Sequence, residues 1–138
     1  MPLNKLDHYS IRTTKLEETR RFYVEVLGLE VGARPNFNFP GVWLYNEGMS
    51  VVHVVGIDPD DPSGLIAYLG DKAGDISDGT GMIDHVAFVA QDVPAMRERF
   101  QAHGAAFRER TVPSLNLHQI FLEDPNGVTI ELNFPAPG

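Results

Sequence analysis

The alternation of apolar and polar residues is clearest in the closing segment of the chain, 118–134. Two apolar runs flank the tetrapeptide Asp124-Pro125-Asn126-Gly127. Asp at its first position, Pro at its second and Gly at its fourth favour a type I turn, so the pattern predicts a β-hairpin. On the returning strand every second residue is apolar, which predicts a core face: Val128, Ile130, Leu132 and Phe134. The other face carries Glu131, and a carboxylate in mid-strand is costly unless it is paired or binds a metal.

In the first half of the chain, the periodicity predicts a strand over 6–13 and then a helix that ends at Gly28. The segment Thr14-Lys15-Leu16-Glu17 has the spacing of a capping box at the start of this helix. The second half repeats the order, with Asp92 as the N-cap of its helix and Gly104 at its end.

Both halves therefore read strand, helix, strand, strand, strand, which indicates an internal repeat within a single domain, 1–138. Module one spans 5–56 and module two spans 82–135, with a connector rich in Asp and Gly over 57–81. A βαβββ unit of this length cannot bury one face of its sheet alone, so the two modules are expected to pack together. The expected fold class is α+β.

The repeat places metal-ligand residue types at matching positions. Leu6-Asp7-His8 matches Ile83-Asp84-His85, and His53 and Glu131 follow their respective histidines at nearly the same distance along the chain. Four such residues at corresponding positions of a duplicated module predict a metal site. By strand alternation, the two aspartates oppose the ligand face and are expected to make structural contacts only.

Composition narrows the class of partner. The chain has 11 basic and 19 acidic residues, a formal charge of −8, which argues against nucleic acid and against anionic membrane surfaces. There is no cysteine, so a metal must be held by His, Asp or Glu. The chain start has no long apolar segment, and no run approaches the length of a membrane span, so a cytoplasmic location is expected.

These motifs resemble those of the vicinal oxygen chelate superfamily, which includes glyoxalase I, methylmalonyl-CoA epimerase, fosfomycin-resistance enzymes, extradiol dioxygenases and bleomycin-resistance proteins. The similarity is carried by Leu6-Asp7-His8, Ile83-Asp84-His85 and the segments 22–29 and 123–132. It implies two βαβββ modules that form an open, cupped mixed sheet with a divalent cation inside.

The resemblance also implies the ligand set and the range of activities. The family's ligand positions carry over to His8, His85 and Glu131, with His53 at the fourth position. The implied cofactor is one divalent ion of Fe, Mn, Ni, Zn or Co, with open positions for a substrate that offers two neighbouring oxygens. The implied activity is redox-neutral lyase or isomerase chemistry or, with iron(II), extradiol-type dioxygenation.

Two departures from the family pattern bear on the choice between these activities. Bacterial glyoxalase I has Glu where His53 stands, so His53 is expected to ligate the metal or to act as an acid/base. Extradiol enzymes usually carry a Tyr on the strand before the final turn, where this chain has Phe121, which favours the lyase or isomerase. His118 is an acid/base candidate on the same strand. The residues expected to contact substrate are Arg12, Trp43, Tyr45 and Phe121.

A different class is the metal-free binder similar to bleomycin-resistance proteins. The acidic balance and the aromatic-rich segment 37–45 suit such a protein, but the four ligand-type residues would then have no function. In either class the expected partners are a small molecule and a second copy of the chain in a homodimer.

Overall fold

The computed structural model describes residues 5–58, 60, 63–64, 83–113 and 116–135. The chain divides into two compact units, Met1–Ser77 and Asp78–Gly138. Most of the predicted connector 57–81 lies outside the described residues. Among the residues that are described, no helix is long and apolar enough to cross a membrane.

The first unit contains a four-stranded mixed sheet and the helix α1. In chain order its elements are β1 (Tyr9–Thr13), α1 (Leu16–Arg21), β2 (Glu30–Gly32), β3 (Gly41–Asn46) and β4 (Met49–Gly56). A π-helical turn, Phe22–Val26, continues α1. The sheet order is β1-β4-β3-β2, in which β1 and β4 are parallel and the other pairs are antiparallel.

The second unit repeats this arrangement. Its elements are β5 (His85–Val89), α2 (Val93–Ala102), β6 (Arg108–Val112), β7 (Leu117–Glu123) and β8 (Thr129–Pro135). The sheet order is β5-β8-β7-β6, again with the first pair parallel. The predicted α+β class and the predicted βαβββ modules are therefore confirmed.

The two helices begin in different ways. Asp92 caps α2 as predicted, because its Oδ1 accepts a hydrogen bond of 3.2 Å from the backbone N–H of Ala95. The predicted capping box at Thr14 is wrong. The N-cap of α1 is Lys15, which makes no side-chain cap bond; instead its backbone N–H donates to Oγ1 of the preceding strand residue Thr13, at 2.8 Å.

The closing hairpin fixes which face of β8 each side chain occupies. Oδ1 of Asp124 accepts from the backbone N–H groups of Asn126 and Val128, both at 2.8 Å. The Gly127 N–H donates to the Asp124 carbonyl at 3.1 Å, and Gly127 has a φ of +86°, a conformation that glycine adopts without steric cost. With the register set by this turn, the apolar face of β8 is buried and Glu131 lies on the other face.

Candidate metal centre

In the first unit, strand pairing brings His8 and His53 together. Ser10 of β1 is the register partner of His53, and His8 lies two residues before Ser10, so both histidines share one face of the sheet. Their imidazole rings are stacked, with centroids 3.7 Å apart and planes inclined by 17°. Trp43, the partner of His53 on β3, stacks on the other side of the His53 ring at 3.8 Å and 7°.

In the second unit, the same strand offset brings His85 and Glu131 together. Ala87 of β5 is the register partner of Glu131, and His85 lies two residues before Ala87. The Nε2 atom of His85 is 3.6 Å from Oε1 of Glu131, whose side chain is only 15% exposed. The strand registers thus match His8 to His85 and His53 to Glu131, as the repeat predicts.

The first histidine of each pair is held by the aspartate that precedes it. Nδ1 of His8 lies 2.6 Å from Oδ2 of Asp7, and Nδ1 of His85 lies 2.8 Å from Oδ2 of Asp84. This corrects the expectation that the two aspartates face away: each lies before the first residue of the regular strand, where side chains do not have to alternate. With Nδ1 engaged, Nε2 is the nitrogen that remains for a metal, an arrangement typical of metal-binding histidines.

A second set of residues that the sequence did not reveal holds the Glu131 carboxylate. Nδ2 of Asn133 donates to Oε2 of Glu131 at 2.9 Å, and Nε2 of Gln119 donates to Oδ1 of Asn133 at 2.8 Å. One carboxylate oxygen is therefore fixed by this amide relay, while Oε1 is directed toward His85. The only sequence signal was that Asn133 shares the face of Glu131.

The two pairs differ in their electrostatics. Burial lowers the pKa of His53 below its ordinary value, and the neighbouring His8 lowers it further, so His53 favours the neutral form. The pKa of His85 is raised, first by its hydrogen bond to Asp84 and then by the charges of Glu131 and Asp84. Protons therefore compete with a metal for the His85 ring, which faces Glu131, up to a higher pH than they would at an ordinary histidine.

Of the predicted substrate residues, Arg12 has the most informative surroundings. It is paired with Val55 in the sheet and lies on the face that carries His53. Its Nη1 is buried and has no hydrogen-bond partner in the described part of the chain. A buried guanidinium nitrogen without a partner is costly, which makes Arg12 a candidate to bind an anionic or carbonyl group.

The aromatic candidates divide into two groups. Trp43 and Phe121 occupy equivalent positions, since each is the register partner of its unit's second ligand candidate, His53 or Glu131. The Tyr45 hydroxyl, in contrast, donates to the backbone carbonyl of Ala33 at 2.6 Å. Tyr45 therefore has a structural role, and we leave it out of the proposed substrate site.

His118 does not lie beside Glu131. It is the register partner of Phe134, on the face of the sheet opposite to Glu131. Its Nε2 lies 3.0 Å from Oε1 of Glu109, which also accepts a hydrogen bond of 2.8 Å from Nε of Arg97. Because the imidazole contacts Glu109 and lies on the face opposite to Glu131, we do not include His118 among the proposed acid/base residues.

The donor chemistry fits a divalent transition metal. Within the described ranges, no three His, Cys, Asp or Glu side chains form one ready-made cluster, so the structure supplies ligand candidates as pairs. Two ligands at about 2.1 Å from one tetrahedral ion are about 3.4 Å apart, close to the 3.6 Å between His85 and Glu131. Imidazole and carboxylate donors without thiolate suit Fe, Mn, Co, Ni or Zn.

Comparison with known proteins places the chain in a family. The sequence profile of the Glyoxalase/Bleomycin resistance protein/Dioxygenase superfamily matches residues 5–132, and the chain belongs to that superfamily. It is 24% identical over 133 residues to Glyoxylase I 4 of Arabidopsis thaliana, covering 94% of this chain and 70% of that protein. It is 29% identical over 136 residues to the mitochondrial methylmalonyl-CoA epimerase of Bos taurus, covering 94% and 74%.

Solved structures show the same fold. Lactoylglutathione lyase from Agrobacterium tumefaciens superposes with a TM-score of 0.65 at 17% identity, covering 97% of this chain and 96% of that one. At this level of identity the likeness concerns the fold alone.

Proposed function

We propose that the protein is a divalent-metal-dependent enzyme that chelates a small substrate through two neighbouring oxygens and performs redox-neutral lyase or isomerase chemistry. The observation that carries the proposal is the duplicated ligand pair. Each unit places a histidine two residues before the register partner of a second ligand-type residue, and each of these histidines has its Nδ1 held by an aspartate. Histidines with a purely structural role would not be expected to repeat the same strand offset and the same aspartate contact in both units.

The proposed protein ligands are Nε2 of His8, Nε2 of His85 and Oε1 of Glu131. The contacts of Asp7, Asp84 and Asn133 already fix the orientation of these three side chains. The internal repeat and the family resemblance support this ligand set, whether the ligands come from one chain or from two chains of a homodimer. When bound, the ion supplies a Lewis acid for the substrate oxygens.

Other residues of the chain would bind and orient the substrate. The unpaired Nη1 of Arg12 supports binding of a substrate carboxylate on the His8 face. Trp43 and Phe121 lie next to the ligand positions, and each has one ring face already covered, by His53 and by the Arg108 guanidinium respectively. The rest of the substrate would therefore contact the edge or the other face of each ring. The substrate that suits this arrangement is a small oxygenated molecule with an anionic end.

Two facts favour lyase or isomerase over dioxygenase. Position 121 holds Phe, so the strand before the final turn lacks the phenol that extradiol enzymes usually place there. The sequence relatives are named as a glyoxylase and an epimerase, which are redox-neutral activities. Adducts of α-ketoaldehydes and epimerisable acyl thioesters are therefore the first substrates to assay.

The proposal is tested by elemental mass spectrometry of protein purified without chelator or histidine tag, with a parallel anaerobic sample. We expect about one Mn, Co, Ni or Zn per chain, retained in air. About one iron per chain that is lost or inactivated in air would instead support the dioxygenase and direct screening to catechols. If no metal is bound and none is taken up on titration, the proposal fails and a metal-free binding protein becomes the better hypothesis.

Substitution of the aspartate behind His85 is expected to weaken metal binding. Asp84→Asn should raise the Kd for Zn²⁺ about tenfold at pH 8, since loss of a carboxylate behind a metal-bound histidine costs about 10- to 100-fold in affinity. The measurement is competition with a chromogenic chelator. The exposed Glu123→Gln, on the closing hairpin, is the matched control and should bind Zn²⁺ as the wild type does.

The same variant has a pH signature. A metal binds neutral imidazole, so affinity is complete above the pKa of His85 and falls as the pH drops through it. Because Asp84 raises this pKa, Asp84→Asn should move the acid-side loss of affinity to lower pH. An unchanged Kd and an unchanged pH profile would show that Asp84 does not act on the metal ligand.

The homodimer expected from the family resemblance is tested by light scattering coupled to size exclusion. A mass near twice 15.3 kDa supports it, and a mass near 15.3 kDa restricts the proposed site to a single chain.

A further inference from the structure

We propose that His53 is not a metal ligand but an aromatic platform that positions His8, so that the ion proposed above has only three protein ligands. This inference rests on the proposed function and changes one part of it, the role that the family resemblance implies for position 53. Its basis is the three-ring stack of Trp43, His53 and His8.

Stacked imidazoles cannot both direct a lone pair at one ion. The donor orbital of histidine lies in the plane of its ring, and the rings of His8 and His53 are inclined by only 17° at a centroid distance of 3.7 Å. An ion about 2.1 Å from a nitrogen of each ring would lie between the two planes, so each bond would leave its ring plane by roughly 60°. One of the two rings must therefore be excluded from the coordination sphere.

The contacts of His53 identify it as the excluded ring. It is enclosed on both faces, by His8 and by Trp43, and its Nε2 already contacts Oγ of Ser50 at 3.3 Å. Its neighbours on β4, Val52 and Val54, are buried on the opposite face of the sheet, so the backbone that carries the ring is fixed. To reach a metal, His53 would have to leave two ring contacts and its hydroxyl partner.

His8 has the opposite properties. It lies just before β1, and among the described residues its ring is stacked only by His53. Asp7 holds its Nδ1 edge, at 2.6 Å. The His8 ring is thus constrained at its edge by Asp7 and on its face by His53, and these two contacts set the direction of its Nε2. The duplicated pairs consequently serve different purposes: in the second unit the partner Glu131 ligates, whereas in the first unit the partner orients.

Zn²⁺ titration of His53 variants tests this positioning role. In His53→Phe the phenyl ring can stack in place of the imidazole, so we expect one Zn²⁺ per chain with a Kd within about threefold of wild type. His53→Ala removes the platform and should keep the stoichiometry while weakening binding about tenfold. The matched variant His8→Phe removes a ligand and should weaken binding by more than about 100-fold.

A second readout uses the wild-type protein alone. Trp43 is the only tryptophan, and its ring lies against His53, so its fluorescence reports on the stack. Zn²⁺ is diamagnetic and does not quench tryptophan directly. If His53 remains in the stack, the emission of Trp43 should stay nearly constant through the titration; departure of His53 to bind the ion should change its intensity and wavelength.

The outcomes separate the two proposals. A Kd in His53→Phe more than about 100-fold above wild type, or a Trp43 emission change that saturates at one Zn²⁺ per chain, would make His53 a ligand and overturn this inference while the metal site stands. Equal losses in His53→Phe and His53→Ala would also overturn it, because stacking would then not matter. If wild-type protein takes up no Zn²⁺, Co²⁺, Ni²⁺, Mn²⁺ or Fe²⁺, the proposed function and this inference fail together.

Discussion

Replacing Glu131 with glutamine is expected to abolish stoichiometric metal binding, raising the Kd by more than about 100-fold. Glu131 is the one anionic ligand in the proposed set, and its Oε1 lies 3.6 Å from Nε2 of His85. Losing a carboxylate that merely supports a ligand costs about 10- to 100-fold, so losing a ligand should cost more. The amide has the shape of the carboxylate but is a neutral, weak donor. Equilibrium dialysis followed by elemental mass spectrometry measures the effect.

The control for this prediction is Glu123→Gln, which makes the same change of charge on the same hairpin. Glu123 is exposed at the end of β7, and its register partner is Thr129. This variant should bind one ion with the wild-type Kd. Should Glu131→Gln also bind one ion per chain at wild-type affinity, the ligand assignment on β8 would be refuted. Circular dichroism of both variants confirms that each retains the fold.

Truncation of Ile130 is expected to have the largest effect on stability. Its side chain is fully buried, and it is paired in the sheet with Val86 of β5 and Leu122 of β7. Ile130→Ala should lower the free energy of unfolding by about 2–5 kcal/mol, because it removes buried methyl groups and leaves a cavity. The shift of the urea midpoint, followed by far-ultraviolet circular dichroism, gives the value.

Ile130→Val is the graded control, with an expected cost of about 0.5–1.5 kcal/mol. The comparison matters for the site because Ile130 adjoins Glu131 on the strand and packs on the face opposite to it. If both variants lowered the free energy of unfolding by the same amount, the residues around position 130 would have relaxed into the space left by the truncated side chain. This face of β8 would then not be part of a close-packed core.

The metal-site variant Glu131→Gln and the core variant Ile130→Ala should affect different properties, metal binding in the first case and stability in the second. Glu131 is partly exposed on the polar face and its removal creates no cavity in the core, so Glu131→Gln should leave the urea midpoint of the metal-free protein nearly unchanged. Ile130→Ala should lower that midpoint and still bind one ion at temperatures where it is folded. The two effects are separable because Ile130 and Glu131 are adjacent on β8 and their side chains therefore lie on opposite faces of the sheet.

Much of the fold follows from local sequence. The structure confirms three predictions that depend on only a few neighbouring residues: the apolar alternation, the Asp124–Gly127 turn and the Asp92 cap. Gly28 and Gly104, at the ends of the helical segments, have φ values of +88° and +65°, a conformation that glycine adopts most easily. The capping box predicted at Thr14 is wrong because α1 begins one residue later than that motif requires. The helix starts at Leu16, so Lys15 and not Thr14 occupies the cap position.

The sequence by itself determined two βαβββ modules and the positions of four ligand-type residues in a repeat, because periodicity and motif spacing are properties of the chain alone. Only the tertiary structure decided what those residues contact. The stack of Trp43 on His53, the support of Glu131 by Asn133 and Gln119, and the position of His118 on the far face all depend on strand register. Register is set by pairing between segments distant in sequence, and a shift of one residue turns every side chain to the other face.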